Sequence, residues 1–255
     1  MIEPKTSREI EILAEGGKIL ASILNEVTGK VEPELPTKEL DDLAFSLIKK
    51  AGGKPAFLGY KGRVGTYPYP ASLCVSVNDE VVHGIPSREK ILKEGDIVGL
   101  DIGMECKGLF TDMAVTVGVG NISDKAKKLI DATKKSLEIG MAEIREGAKL
   151  GDYGFAVQSF AEKNGFGVVR ILVGHGVGYA AHEDPDIPNW GKKGKGMEFK
   201  EGMVLALEPM LCQGGYEVVL GDDEWTWKTK DGLLSAHFEH TISVEKNGCR
   251  VLTKI

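Results

Sequence analysis

An α/β fold built from two related halves is predicted by three observations. Lys93-Glu-Gly-Asp-Ile-Val-Gly-Leu-Asp101 recurs as Lys200-Glu-Gly-Met-Val-Leu-Ala-Leu-Glu208, one strand written twice, 107 residues apart. A helix–helix–strand order precedes each copy. Residues 32–52 match 145–165 weakly at a shift of 113, with Ser46 on Ser159, Lys50 on Lys163 and Gly52 on Gly165. A fixed internal period marks a duplicated unit. Each strand copy ends in an acid where a buried strand normally carries an apolar residue. A duplicated scaffold therefore delivers two carboxylates to one place.

The elements follow in order. Thr6 or Ser7 caps a first helix, with Glu9 and Glu11 in or near its first turn and a stripe of Ile10, Leu13, Leu20, Leu24 and Val27. Thr37 opens a second helix with Leu40, Leu43, Ala44, Leu47 and Ile48 on one face, stopped at Ala-Gly-Gly53. Residues 54–74, rich in Gly, Pro and Tyr, read as a long loop. Strands are expected at 73–77, 97–102 and 109–117, then helices at 123–145 and about 151–164. Strands at 168–173, 203–208, 215–220 and 237–244 complete the chain. One catalytic domain over 1–255 is expected, with internal halves of about 1–122 and 123–255.

Composition narrows the class. A chain of 255 residues buries a large core without staples. A net charge of -6 gives no general support to a DNA-binding or membrane-surface role. Cys74, Cys106, Cys212 and Cys249 show no paired or zinc-ribbon spacing and read as reduced thiols of a cytoplasmic protein. The N-terminal residues lack a signal-peptide core, and no apolar run reaches about 18 residues. Lys192, Lys193 and Lys195 read as a solvated turn.

The chemistry lies in acids and histidines at strand ends. With the hairpin centred between Cys106 and Lys107, Asp101 falls opposite Asp112, with Cβ atoms about 4.5–5.5 Å apart. Apolar neighbours on both strands put these acids on a semi-buried floor, where a proton or cation must offset their repulsion. Exposure at a strand end is the alternative. Glu208 repeats the argument, against an exposed acid before Pro209. Alternation puts His237, Glu239 and Thr241 on one face, and Phe238, His240 and Ile242 on the other. His175, set between glycines after an apolar strand, stands where backbone and ligand approach closely, although a lone histidine is more often structural. His83 and His182 share the preference for strand-to-loop junctions. Four acids and one histidine suit two hard or borderline divalent ions rather than thiolate zinc. Such a pair activates water for hydrolysis.

These residues carry a resemblance. Asn78-Asp-Glu-Val-Val-His-Gly-Ile-Pro86, Leu100-Asp-Ile-Gly103, Thr111-Asp-Met-Ala114, Gly174-His-Gly-Val-Gly178, His182-Glu-Asp-Pro185, Leu207-Glu-Pro-Met210 and Phe238-Glu-His-Thr241 together resemble type I methionine aminopeptidases of the short bacterial kind, over nearly the whole chain. The resemblance implies the pita-bread (creatinase/aminopeptidase) fold, two pseudo-symmetric halves around a curved antiparallel sheet. It implies removal of the initiator methionine from nascent chains when the next residue is small, by a cytoplasmic monomer with two divalent ions (Co, Mn, Fe or Zn). Asp101 would chelate one ion, His175 and Glu208 the other, and Asp112 and Glu239 would bridge them. Glu208 would also relay the water's proton, His182 would stabilise the oxyanion, and His83 would position the scissile amide. Tyr60, Tyr69, Cys74 and Trp225 would wall the methionine pocket, Trp225 being preferred to Trp227. Loop oxygens at Asn78, Glu80 and Ser235 would hold a Na or K ion. The family's cotranslational work makes the three lysines a candidate ribosome contact.

Departures from the family pattern fall on the pocket. Residues 61–69 make a longer loop than usual, Ala181 stands where an aromatic is common, and Phe57 stands where a smaller residue is common. Aromatic bulk shifts from one wall to another, with Phe57 and Tyr179 as candidates; drift of loop packing is the alternative. Two rival functions fit the same scaffold. A prolidase or Xaa-Pro aminopeptidase usually carries an extra N-terminal domain, whereas this chain starts almost directly with its first helix. A non-catalytic binding module typically loses ligands, whereas all five positions are filled.

Overall fold

The computed structural model describes residues 3–62 and 66–255. Arg63, Val64 and Gly65, inside the 61–69 loop, lie outside the described residues. Helix α1 (Ser7–Thr28) starts with a capping box: the Glu9 N–H donates to the Thr6 hydroxyl, and the Thr6 N–H donates back to the Glu9 carboxylate. Its stripe from Leu13 to Val27 is buried. Helix α2 (Thr37–Lys50) packs Leu40, Ala44 and Ile48 inward. Asp41, on that helix, accepts the N–H groups of Ser72 and Leu73 at 2.8 and 3.0 Å. A helix side chain thus fixes the start of the strand that carries Cys74.

The strands are β1 (Lys54–Pro55), β2 (Leu73–Val77), β3 (Glu80–Val82), β4 (Ile97–Cys106), β5 (Leu109–Gly118), β6 (Gly167–Val168), β7 (Gly174–Gly176), β8 (Glu183–Ile187), β9 (Val204–Leu207), β10 (Met210–Cys212), β11 (Val218–Leu220), β12 (Trp227–Thr229), β13 (Ser235–His237), β14 (Glu239–Glu245) and β15 (Gly248–Val251). Helices α3 (Asp124–Ala142) and α4 (Leu150–Lys163) separate β5 from β6. The main sheet is antiparallel and curled, in the order β1-β4-β5-β14-β9-β7-β8, with β2 on β4 and β15 on β14. The two halves of the sequence join where β5 pairs with β14.

Helices cover one face of this sheet. Leu100, Ile102 and Met104 pack with the α1 and α2 stripes, while Leu205, Leu207 and Ile242 pack with Leu137, Tyr153 and Val157 of α3 and α4. Alternation along the strands then turns Asp101, Asp112 and Glu239 to the other face. The expected run 168–173 is mostly irregular, since only Gly167–Val168 pairs, and the run 237–244 breaks at Phe238.

Candidate metal centre and substrate cavity

The β4–β5 hairpin corrects the expected opposition of Asp101 and Asp112. Cys106 pairs with Leu109, so the loop is Lys107-Gly108, whose φ values of 53° and 84° are both positive. Two left-handed central residues are the signature of the tight hairpin turn that matches strand twist. The turn therefore centres one residue later than expected. Asp112 pairs with Gly103, and Asp101 with Ala114. The two acids remain on one face, as diagonal neighbours rather than opposite ones.

Glu239, the first residue of β14, pairs with Ala114. Hydroxyls clasp the backbone on both sides of that pair. Thr241 Oγ1 accepts the Asp112 N–H and donates to the Asp112 carbonyl, both at 2.8 Å. Thr116 Oγ1 does the same for His237, both at 2.9 Å. These reciprocal pairs stand in for ladder bonds and fix Asp112 against Glu239. Glu208 follows the last residue of β9, and its Oε1 lies 3.4 Å from His175 Nε2.

His175 sits in the short strand β7, between β9 and β8. Its flanking glycines serve backbone packing. A Cβ at Gly174 would strike the Ala206 carbonyl of β9, and one at Gly176 would strike the Asp184 carbonyl of β8. His175 Nδ1 lies 2.9 Å from the Gly176 carbonyl, so as a donor it leaves Nε2 with a lone pair.

Ligand atoms of Asp112, His175 and Glu239 all lie within 4.8 Å of one another. Burial pushes the Asp101 carboxyl up to about 7, an effect partly offset by its hydrogen bond with Asp112. Burial raises Asp112 well above its usual range, with the Asp101 and Glu208 charges adding to it. Burial and then Asp101 raise Glu208; burial, Asp112 and Glu208 raise Glu239. Among the described residues Asp101 Oδ1 and Glu239 Oε1 are buried without a hydrogen-bond partner. Oxygen donors that repel one another, with an imidazole at their edge, fit divalent cations. Burial lowers His175, leaving it neutral and fit to ligate.

The cluster opens onto a cavity of about 310 Å³. Its wall includes all five of these residues with His83, His182, Phe57, Tyr60, Tyr69, Cys74 and Trp225. His182 immediately precedes β8, with its ring centroid 4.3 Å from His175 and 4.8 Å from Tyr60. His83 follows β3 with φ 59°, and burial next to His175 lowers it to about 4, so it is neutral. Trp225 packs edge-on to Tyr69 at 5.2 Å, while Trp227 belongs to β12 and packs elsewhere. The 61–69 loop is pinched at its base, where the Tyr69 N–H donates to the Tyr60 carbonyl at 2.8 Å. Its described tip is pinned at Thr66 to Glu224 and at Tyr67 to Asp223. Tyr60, Gly62 and Tyr69 stay in the cavity wall. Phe57 lies in the wall; Tyr179 does not, its hydroxyl reaching Glu9 instead.

Asn78, Glu80 and Ser235 come together outside the residues that line the cavity. Ser235 Oγ donates to both the Asn78 and Glu80 carbonyls at 3.2 Å, while the Glu80 carboxylate is held by Lys90. Lys192, Lys193 and Lys195 are exposed in a turn tied to Asp152 through the Gly194 N–H.

Residues 11–246 match the model of metallopeptidase family M24. The chain belongs to that family. It is 46% identical to methionine aminopeptidase 1 of Bacillus subtilis over 255 residues, the full length of both chains. The crystal structure of methionine aminopeptidase from Thermotoga maritima superposes with a TM-score of 0.96 at 45% identity, covering all of both chains. Prolidase from Pyrococcus furiosus shares the fold alone, with a TM-score of 0.79 at 22% identity over 65% of its chain. M24 membership therefore carries the pita-bread architecture and a metal-dependent peptidase class. Among the described residues no helix is long and apolar enough to cross a membrane. One M24 cavity neighbour received no role in the sequence reading. Among the described residues His237 Nε2 is buried without a hydrogen-bond partner, 3.8 Å from both Glu208 Oε2 and Glu239 Oε2. Its signal was the shared face with Glu239.

Proposed function

We propose that this chain removes the N-terminal methionine from nascent polypeptides whose second residue is small, with two divalent ions (Co, Mn, Fe or Zn). One observation carries the reading: carboxylates and an imidazole from adjacent strands open onto a cavity with apolar aromatic walls. Asp101 would hold one ion and His175 and Glu208 the other, with Asp112 and Glu239 contributing to both. When bound, such ions polarise the scissile carbonyl and lower the pKa of water from about 15.7 towards about 7. Glu208, beside His175, receives the water's proton and passes it to the leaving amine. His182 donates to the developing oxyanion, and neutral His83 holds the scissile amide. The free α-amine stays at the Asp101 side, which limits cleavage to one residue. Tyr60, Tyr69 and Trp225 surround the methionine side chain, and burial keeps the Cys74 thiol protonated, so the wall is neutral and soft.

The same reading assigns residues 1–255 to one catalytic unit of two halves, acting as a cytoplasmic monomer. It places a Na or K ion at the Asn78 and Glu80 carbonyls and Ser235, and a ribosome contact at Lys192, Lys193 and Lys195. The decisive experiment reloads metal-free protein with single ions and compares Met-Ala-Ser with Xaa-Pro peptides. Methionine release restored by one or more ions is expected. Faster cleavage of Xaa-Pro, or failure to take up divalent ions, overturns the assignment. Unchanged ribosome cosedimentation after neutralising the three lysines removes that contact.

A further inference from the structure

Lys5 is a buried lysine far in sequence from the cavity. Its side chain is fully covered, and its Nζ lies 2.6 Å from Glu183 Oε2. The same ammonium stands 4.1 Å from the centre of the Tyr179 ring. Burying an ammonium is costly unless it is paired, so this contact has a purpose beyond surface decoration. The Lys5 backbone is fixed as well, its N–H donating to the Gly202 carbonyl at 2.8 Å in the turn that leads into β9.

The partner acid organises the crook that leads to His182. Glu183 Oε1 accepts the N–H of Tyr179 and that of Ala180, the latter at 2.9 Å. Those donors belong to residues 178–182, which lie outside helix and strand. Gly178 starts the crook at φ 138°, and a Cβ there would stand 2.5 Å from Lys5 Cε. Tyr179 Oη ties the crook to α1, donating to Glu9 Oε1 at 3.0 Å. Glu9 is also the capping-box acid of that helix. One carboxylate thus gathers two backbone donors and one ammonium, and His182 is the next residue.

We infer that Lys5 is a positioning residue for the reaction: acting through Glu183, it sets the 178–182 crook so that His182 points into the cavity. This rests on the proposed role of His182 as oxyanion donor. An oxyanion donor acts only within hydrogen-bond distance of developing charge, so loosening its support lowers turnover more than substrate binding. Misplacement by about 1 Å costs up to roughly a hundredfold in rate.

The test compares four variants with wild type, each loaded with the same divalent ion. Lys5→Met leaves Glu183 without its partner charge and threatens the fold. Lys5→Met/Glu183→Gln removes both charges while the amide oxygen still accepts from Tyr179 and Ala180. Glu183→Asp keeps both charges and shortens the tie by one methylene. His182→Ala is the reference. Readouts are kcat and KM on Met-Ala-Ser, metal content, thermal midpoint, and affinity for a methionine phosphonate as tetrahedral probe beside free methionine. The expected result for the double variant and Glu183→Asp is full metal content, kcat down by roughly ten- to a hundredfold, a parallel loss of phosphonate affinity and unchanged methionine affinity. Folded, metal-loaded variants with wild-type kcat, while His182→Ala is impaired, overturn the role of Lys5. Wild-type kcat in His182→Ala instead overturns the oxyanion role on which it rests.

Discussion

Asp112 is surrounded by charges of its own sign. Asp101 and Glu208 raise it further after burial has done so, and Glu239 is raised in turn by Asp112. Asp112→Asn keeps the shape and the Oδ1 acceptor for the Met113 N–H at 3.0 Å, but removes a charge assigned to both ions. Turnover of Met-Ala-Ser is expected to vanish, with a drop in bound metal by elemental analysis; wild-type-like turnover at full metal content contradicts this. The metal-free variant should nevertheless unfold at higher urea than metal-free wild type at pH 7.5, because one repelling carboxylate is gone. At this scale the acids were legible because each interrupts an apolar run. Their mutual placement was not, since it depended on a turn one residue later than its flanking sequence suggests. His237 stayed without a role because alternation gives a face and no distance.

At the scale of elements, Thr241 and Thr116 do what a regular ladder would do elsewhere. Both are buried, and each closes two hydrogen bonds with the backbone of the facing strand. Thr241→Val keeps the volume and strands the N–H and carbonyl of Asp112. Leaving buried polar groups unpaired costs about 1–3 kcal/mol each, so a loss of about 2 kcal/mol or more in urea unfolding is expected. Because Asp112 shifts with its backbone, divalent affinity by calorimetry should weaken roughly tenfold or more, as happens when a ligand's support is lost. Thr241→Ser restores both bonds and should recover both values; recovery absent in Ser, or affinity intact in Val, refutes the coupling. Long periodic elements were readable: α1, α2, β2 and β5 stand close to their expected bounds, while β4 starts as expected at Ile97 and runs four residues past 102 to Cys106. The short strands were not. Glu183–Ile187 reads Glu-Asp-Pro-Asp-Ile, with no apolar alternation, and pairs only because β7 is beside it. Val204–Leu207 is buried throughout and easy to see; Gly174–Gly176, between it and β8, is too short and too glycine-rich to show a strand pattern of its own.

For the whole molecule, the duplicated strand gives the frame, β4 in one half and β9 in the other, joined through β5 and β14. That frame concentrates unpaired acid, so metal affinity and fold stability become one quantity. The acids have folded pKa values raised above their unfolded ones, Asp101 to about 7. Their contribution to the metal-free fold is present below the unfolded pKa of about 4 and is lost as pH rises through the folded value. The buried histidines oppose it. His83 and His240 are lowered to about 4 and His237 to about 3, so their contribution is present above about 6.5 and is lost as pH falls through those values. The metal-free midpoint mixes both trends. The gain in thermal midpoint on adding a divalent ion separates them, because the ion displaces protons from the acids, whose folded values are raised. At pH 7.5 and about a hundredfold excess over Kd the ion adds about 2.7 kcal/mol, a rise of roughly 5–10 °C for a chain of this size. At pH 5, two units below the Asp101 value, proton competition at that one carboxyl cuts affinity about a hundredfold, and most of the rise disappears. Scanning calorimetry with and without Mn²⁺ at the two pH values measures the difference, and an equal rise at both would show that the raised carboxylates are not the residues that take the ion.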